Sequence, residues 1–235
     1  MLDRFLQNVV TGVSEGSIYA LVALGFNIIY NSTGIINFAQ GEFVMLGGMF
    51  MVFFAATLGW PLPLAFGITV ILVACVGLIM ERGCIHPLKN PSILVLIMIT
   101  IAASILIKGI TMFIAGKETH SIDYFSGANT AVVFFGAKVP TQTFWVLGTL
   151  IVVVCGLMFF FNFTLAGKAM RACSFNRTAA SLMGIPTKKM VMFSFCLSAA
   201  IGAMGGAVIM PISMVDYQSG AMLGVKGFGA AVLGG

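Results

Sequence analysis

Six runs of mainly apolar residues, at 5–30, 42–58, 62–80, 92–115, 141–163 and 189–211, decide what this chain can fold into. About 20 such residues in a helix cross the hydrocarbon core of a bilayer. Backbone groups in that core find no water, so each run must satisfy its own N–H and C=O groups as a helix. Only 8% of the residues are charged, against roughly a quarter in a soluble domain. So few charges cannot keep a folded surface in water. The expected fold is all-α: a polytopic membrane helix bundle, one transmembrane domain over 1–235, with a broken or re-entrant segment near 31–42.

The charges that remain give the orientation. Segment 164–189 holds five basic residues and no acid. Segment 81–91 carries Glu81, Arg82 and Lys89, and segment 116–140 balances Lys117 and Lys138 against Glu118 and Asp123. Basic loops stay in the cytoplasm, which places 81–91 and 164–189 inside and 116–140 outside. Strict alternation then puts the N-terminus outside. The first residues lack a basic n-region and a cleavage site and read as mature sequence. The net charge of +5 is a topology signal, with no nucleic acid implied. None of the five cysteines falls in the outer loop, so free thiols are expected. The β-prone patch at 131–135 in that loop suits a short hairpin or a flexible stretch.

The interruption at 31–42 is polar and punctuated by glycine. Two readings stay open. Non-helical backbone at membrane depth lines a cavity or is buried in protein, and transporters place such broken helices along the substrate path. Asn37 and Gln40 would then supply neutral donors and acceptors to the conduit, and Glu42 would open the next helix, where the dipole favours a carboxylate. The plainer reading is an interfacial loop with a capping acid. Elsewhere in the spans, Asn27 is a pathway candidate or a helix–helix bond. Glu15 and Lys108 lie near enough to span ends to snorkel, and Asp216 closes the last span. Small residues at Gly12, Gly16 and Ala20, and at Ser198, Gly202 and Gly206, form two stripes that suit close helix packing.

The basic segment 164–189 has a grammar of its own. Asn176 is a good N-cap for a two-turn helix over 177–183, Gly184 suits the left-handed position after it, and Pro186 forbids continuation. A helix this short needs something to pack on. Its basic residues serve as topology anchors or as the edge of a docking surface. No phosphate-binding loop or HExxH motif is present, and neither catalytic residues nor a metal site are expected. The two histidines, His86 and His120, fall on opposite sides.

Several of these motifs coincide with one family. The stretch from Gly16 to Phe26, and the Gly-Ile-Ile-Asn-Phe-Ala-Gln-Gly-Glu run that begins at Gly34, resemble the first half of the branched-chain amino-acid ABC importer permeases. Glu81-Arg82 followed by Pro87-Leu88 looks like their first cytoplasmic loop. The run from Ala179 to Ile185 resembles their coupling loop, and the glycine-rich run from Lys226 to Gly235 is similar to a motif shortly before their last spans. Between the two related subunits of such importers, the chain looks more like the one with an Asn-Phe-Ala-His-Gly-type motif. Gln40 stands at the His position, which removes a titratable group, and His86 stands where an Arg is usual.

The resemblance implies a multi-pass subunit of the bacterial inner membrane. It also implies a second permease subunit, two ATP-binding subunits below and a soluble binding protein outside. ATP is used by the partners, and this chain holds no cofactor. Coupling would fall to Arg171, Asn176, Arg177, Ala180, Leu182, Met183 and Gly184. The family continues past the final Gly-Gly, so the chain is expected to be C-terminally incomplete. Importers of urea or short amides use similar permeases, and a passive solute channel is the competing class.

Overall fold

The structure, a computed structural model, describes residues 2–88, 92–127, 131–134 and 137–234. Helix α1 covers Leu2–Thr33 and α2 covers Gln40–Val52, prolonged by a π-helical turn over Phe53–Thr57. Helix α3, Leu62–Met80, is prolonged likewise over Glu81–Ile85. Then follow α4 (Ile93–Ala115), strands β1 (Ala131–Phe134) and β2 (Ala137–Pro140), α5 (Thr141–Phe163), α6 (Leu165–Phe175), α7 (Arg177–Leu182), α8 (Thr187–Ile209) and α9 (Ser219–Gly234). Six helices among the described residues are long and apolar enough to cross a membrane. The all-α expectation therefore holds.

Helices α2 and α8 form the centre, most of their residues being buried. Around them pack α1, α3 and α9. Helices α4 and α5 turn faces such as Ile105, Phe113, Val152 and Phe159 outward, as a lipid solvent requires. The closest contact is made by glycine. A Cβ on Gly206 would fall on the Val44 carbonyl, and one on Gly47 would fall 2.5 Å from Ala203 Cα. Only hydrogen side chains let these backbones meet.

The two faces match the charge asymmetry. At one end His120 and Val215 exchange backbone hydrogen bonds of 2.9 Å, tying 116–127 to the segment after α8. Strands β1 and β2 pair antiparallel at this end, Ala131 opposite Pro140; Phe135, in the patch suited to a short hairpin or a flexible stretch, lies outside the described residues. At the other end α6 and α7 lie beside the start of α8, where the basic residues collect.

Several expectations need correcting. The first helix runs past 30 to Thr33, where Gly34 (φ +72°) closes it by donating its N–H to the Tyr30 carbonyl at 2.7 Å. The second opens at Gln40, so Glu42 sits in its first turn and does not begin it. Residues 81–85, expected in a loop, continue α3 as a helical turn, with His86 N–H donating to the Glu81 carbonyl. Asp216 lies beyond the last span, where its Oδ1 accepts the N–H groups of Gln218 and Ser219 ahead of α9. Helix α6 is an element that apolar periodicity concealed. Thr164 caps it by accepting the Gly167 N–H, and its buried positions Gly167, Met170 and Cys173 recur every third residue.

Candidate functional site

The break between α1 and α2 lies deep in the bundle. Ser198 and Ser104 are the middle residues of α8 and α4, and the start of α2 touches both. The Gln40 amide donates to the Ser198 carbonyl at 3.2 Å. The Ser198 hydroxyl lies 2.6 Å from Gln40 Oε1 and 2.7 Å from the Gly25 carbonyl, and donates to one at a time. Ser104 donates to Glu42 Oε1 at 2.9 Å. Residues 34–39 therefore climb from the C-terminal end of α1 to mid-depth of the bundle before helix resumes. The interfacial-loop reading is excluded, because such a loop would leave these side chains at the surface.

Local chemistry explains why the chain tolerates this. Asn37 Oδ1 accepts the Ala39 N–H at 3.1 Å, and its carbonyl accepts the Gln40 N–H at 3.1 Å, forming a turn that feeds the helix. Thr100 on α4 accepts the Phe38 N–H at 3.3 Å. The Phe38, Ala39 and Gln40 N–H groups thus find partners where water is absent. Glycine again makes the room, since a Cβ on Gly25 would overlap the Gln40 amide.

Helix α9 begins at the same place. Gly220 lies against the Gly41 carbonyl and the Glu42 carboxylate, and Gly224 lies against Gly41 Cα. The starts of α2 and α9 meet at Glu42. Both carry positive dipole ends, which a carboxylate offsets. Glu42 is 1% exposed, and its Oε2 lacks a hydrogen-bond partner. Lys108, one turn along α4 from Ser104, is the cation that acts on it through space.

The expected pathway residues thus divide. Asn37, Gln40 and Glu42 are sealed inside this protein in the conformation observed. Asn27 is half-buried and lines an open cavity of about 300 Å³ with Tyr30, Asn31 and Phe228. Sequence marks Asn31 only as the start of the break and does not mark Tyr30 at all. Their place at the end of a long helix reads as an interface until α9 is packed beside them.

The basic segment 164–189 forms the capped helix expected of it. Asn176 caps α7 by accepting the Ala179 N–H at 3.0 Å, and Gly184 takes φ +82° with its N–H on the Ser181 carbonyl. Ala180 is buried against α1 and α8 in a cluster with Ile28, Met170 and Met190. Arg177 is exposed, and Arg171 donates to Asn162 at 3.0 Å. Leu182 and Met183 are 83% and 84% exposed, beside an equally open Phe175. Apolar side chains this open, edged by cations, mark a contact with protein or membrane.

Residues 8–235 match the protein family described as branched-chain amino acid transport system / permease component. The chain belongs to this family. As a family permease it is 31% identical to the high-affinity branched-chain amino acid transport system permease protein LivH of Escherichia coli (strain K12), over 98% of this chain and 79% of that protein. It is 29% identical to the permease protein BraD of Pseudomonas aeruginosa, over 99% and 80%. A probable branched-chain amino acid permease of Methanocaldococcus jannaschii is 26% identical over 93% and 70%. No solved structure matches. The permease is a multi-pass protein of the cytoplasmic membrane.

Proposed function

We propose that this chain is the membrane-spanning subunit of an ATP-driven importer of branched-chain amino acids. It works with a second permease subunit, two ATP-binding subunits and an extracytoplasmic binding protein. The observation that carries the coupling role is α7, a short helix held rigid by Asn176 and Gly184 that turns Leu182 and Met183 to the cytoplasm. Its inner side, Ala180, shares one packed cluster with α1, α6 and α8. Well-packed helices move as units, so a displacement of α7 is carried to the helices that hold the start of α2.

The conduit wall is the broken segment with the adjoining face of α1. Asn27 and its neighbours meet solute, while Asn37, Gln40 and Glu42 position the wall from behind. Alternating access then consists of a shift of α1 and α9 against the central pair α2 and α8.

Radiolabelled leucine uptake tests the reading in cells lacking the gene, restored with this chain or with an extended version, and with urea uptake run alongside. Leucine uptake is expected to fall and to be rescued. A fall in urea uptake alone removes the substrate assignment. Gly184→Val forces a branched side chain into a left-handed backbone, at about 1–3 kcal/mol. It is expected to cut uptake at least tenfold with membrane insertion intact; normal uptake removes α7 from coupling.

A further inference from the structure

A second cavity, of about 480 Å³, opens at the cytoplasmic end where α3 meets α8. That volume lies within the ~300–1,000 Å³ range of small-molecule sites. Its lining combines three chemistries. Glu81 is 2% exposed, and its Oε2 has no hydrogen-bond partner. Arg82, Lys188 and Lys189 supply cations, the two lysines from the first turn of α8, whose dipole also favours an anion. Ile185 and Met192 supply apolar wall. Arg82 reaches across the cavity to Met192, Nη1 to Sδ at 3.9 Å.

A buried carboxylate oxygen without a partner costs free energy comparable to a lost hydrogen bond, and more for its charge. Three cations stand around the same cavity, and still this oxygen is unpaired. A plain anion site would have no use for Glu81, and a plain cation site none for the lysines. A ligand with both charges and an apolar tail uses every part. We infer that this cavity binds an apolar α-amino acid from the cytoplasm. Its ammonium donates to Glu81, its carboxylate faces Arg82, Lys188 and Lys189, and its side chain lies on Ile185 and Met192.

The inference rests on the importer reading for its ligand class. It adds a second site for the cargo, on the release side and next to the docking helix. A ligand bridging α3 and α8 there holds the two helices together. Occupancy tracks the internal concentration of the cargo and slows the cycle when that concentration is high.

The test uses inside-out membrane vesicles from cells expressing the whole importer, without the external binding protein. Saturable binding of radiolabelled leucine is expected. Glu81→Gln, and separately Lys188→Gln with Lys189→Gln, should each weaken it about tenfold or more, the range of a charge-assisted hydrogen bond. The lysine pair is exposed and keeps the experiment readable should Glu81→Gln fail to fold. Isopentylamine and 4-methylpentanoate, each lacking one charge, should compete at least tenfold less well than leucine. Binding that neither variant weakens belongs to the conduit and overturns the site. Competition by inorganic phosphate as strong as by leucine reduces it to a basic rim and overturns it also. Vesicles with no saturable binding, from cells that import leucine normally, overturn this site and leave the importer reading standing. Failure of both import and binding overturns both.

Discussion

Two stripes of small residues have the same spacing and opposite fates. On α8, Ser198, Gly202 and Gly206 press against α2, with Gly202 3.1 Å from Phe43 by the Cβ measure and Gly206 on the Val44 carbonyl. On α1, Gly12 and Gly16 face open space, with nothing within 4 Å of a built Cβ. The α8 stripe is consumed by the fold. The α1 stripe is left on the outside, on the outer half of a helix whose inner half is packed against α8 and α9. Small-residue spacing therefore records that two backbones can approach. It does not say whether the partner is in the same chain.

The sharpest way to break this contrast is Gly206→Leu. The side chain would displace the α2 backbone, which no rotamer change relieves. Overpacking costs about 1–3 kcal/mol even where side chains can yield, and more is expected here. The variant should give no monodisperse folded protein in detergent, and a normal elution profile would show that the α2–α8 contact is dispensable.

Asn37→Leu comes next. It removes the side-chain acceptor of the Ala39 N–H in the turn that feeds α2 while keeping the volume, at about 1–3 kcal/mol for the N–H left unpaired. Leucine uptake should fall several-fold with membrane abundance retained; an unchanged rate would separate the break from transport. Gly12→Leu should leave folding within about 0.5 kcal/mol of the parent, as for surface sites generally. Thermal unfolding of the purified subunit measures that. A matching loss of complex assembly would give the α1 stripe to another subunit.

The smallest effect belongs to Asp216. The Ser219 hydroxyl and the N–H groups of Gln218 and Ser219 hold its carboxyl below the usual aspartate range, against a smaller opposing effect of burial. Its contribution is present above the unfolded-state value and is lost as pH falls through the lower folded value. Asp216→Asn should therefore lower the unfolding temperature slightly at neutral pH and not at all below the folded value. An equal difference at both pH values would count against the charge.

The break shows how far reading from residues reaches. Its location was plain, because Asn31, Asn37 and Gln40 interrupt two apolar runs. Its depth was not, because an interfacial loop and a mid-membrane turn have the same composition. Ser104 and Ser198 decide the matter; by sequence the first is a lone serine in an apolar helix and the second only a small packing residue. Helix α7 was legible to within a residue, since Asn176 and Gly184 are caps that act locally. Helix α6 was not, because Lys168 and Arg171 within it read as part of a basic loop and its three buried positions are too few to stand out as a periodic pattern. Glu81 was visible as an acid in a basic loop, but nothing in its neighbours said that it would be buried beside Lys188 and Lys189.

By itself the sequence determined the apolar spans, the unequal charge of the segments between them, the place of the break and the caps of helix α7. Each depends on length, charge or backbone geometry over a few residues. Tertiary structure alone decided which stripe is buried, that α2 and α9 begin together at Glu42, and that a carboxylate and three cations share one cavity. In a membrane the lipid is as apolar as the core, so hydrophobicity cannot mark a helix's inner face. Helix α2 is apolar on every side and buried almost throughout. Its partners are chosen by the fit of glycine to backbone across distant parts of the chain, which no local pattern records.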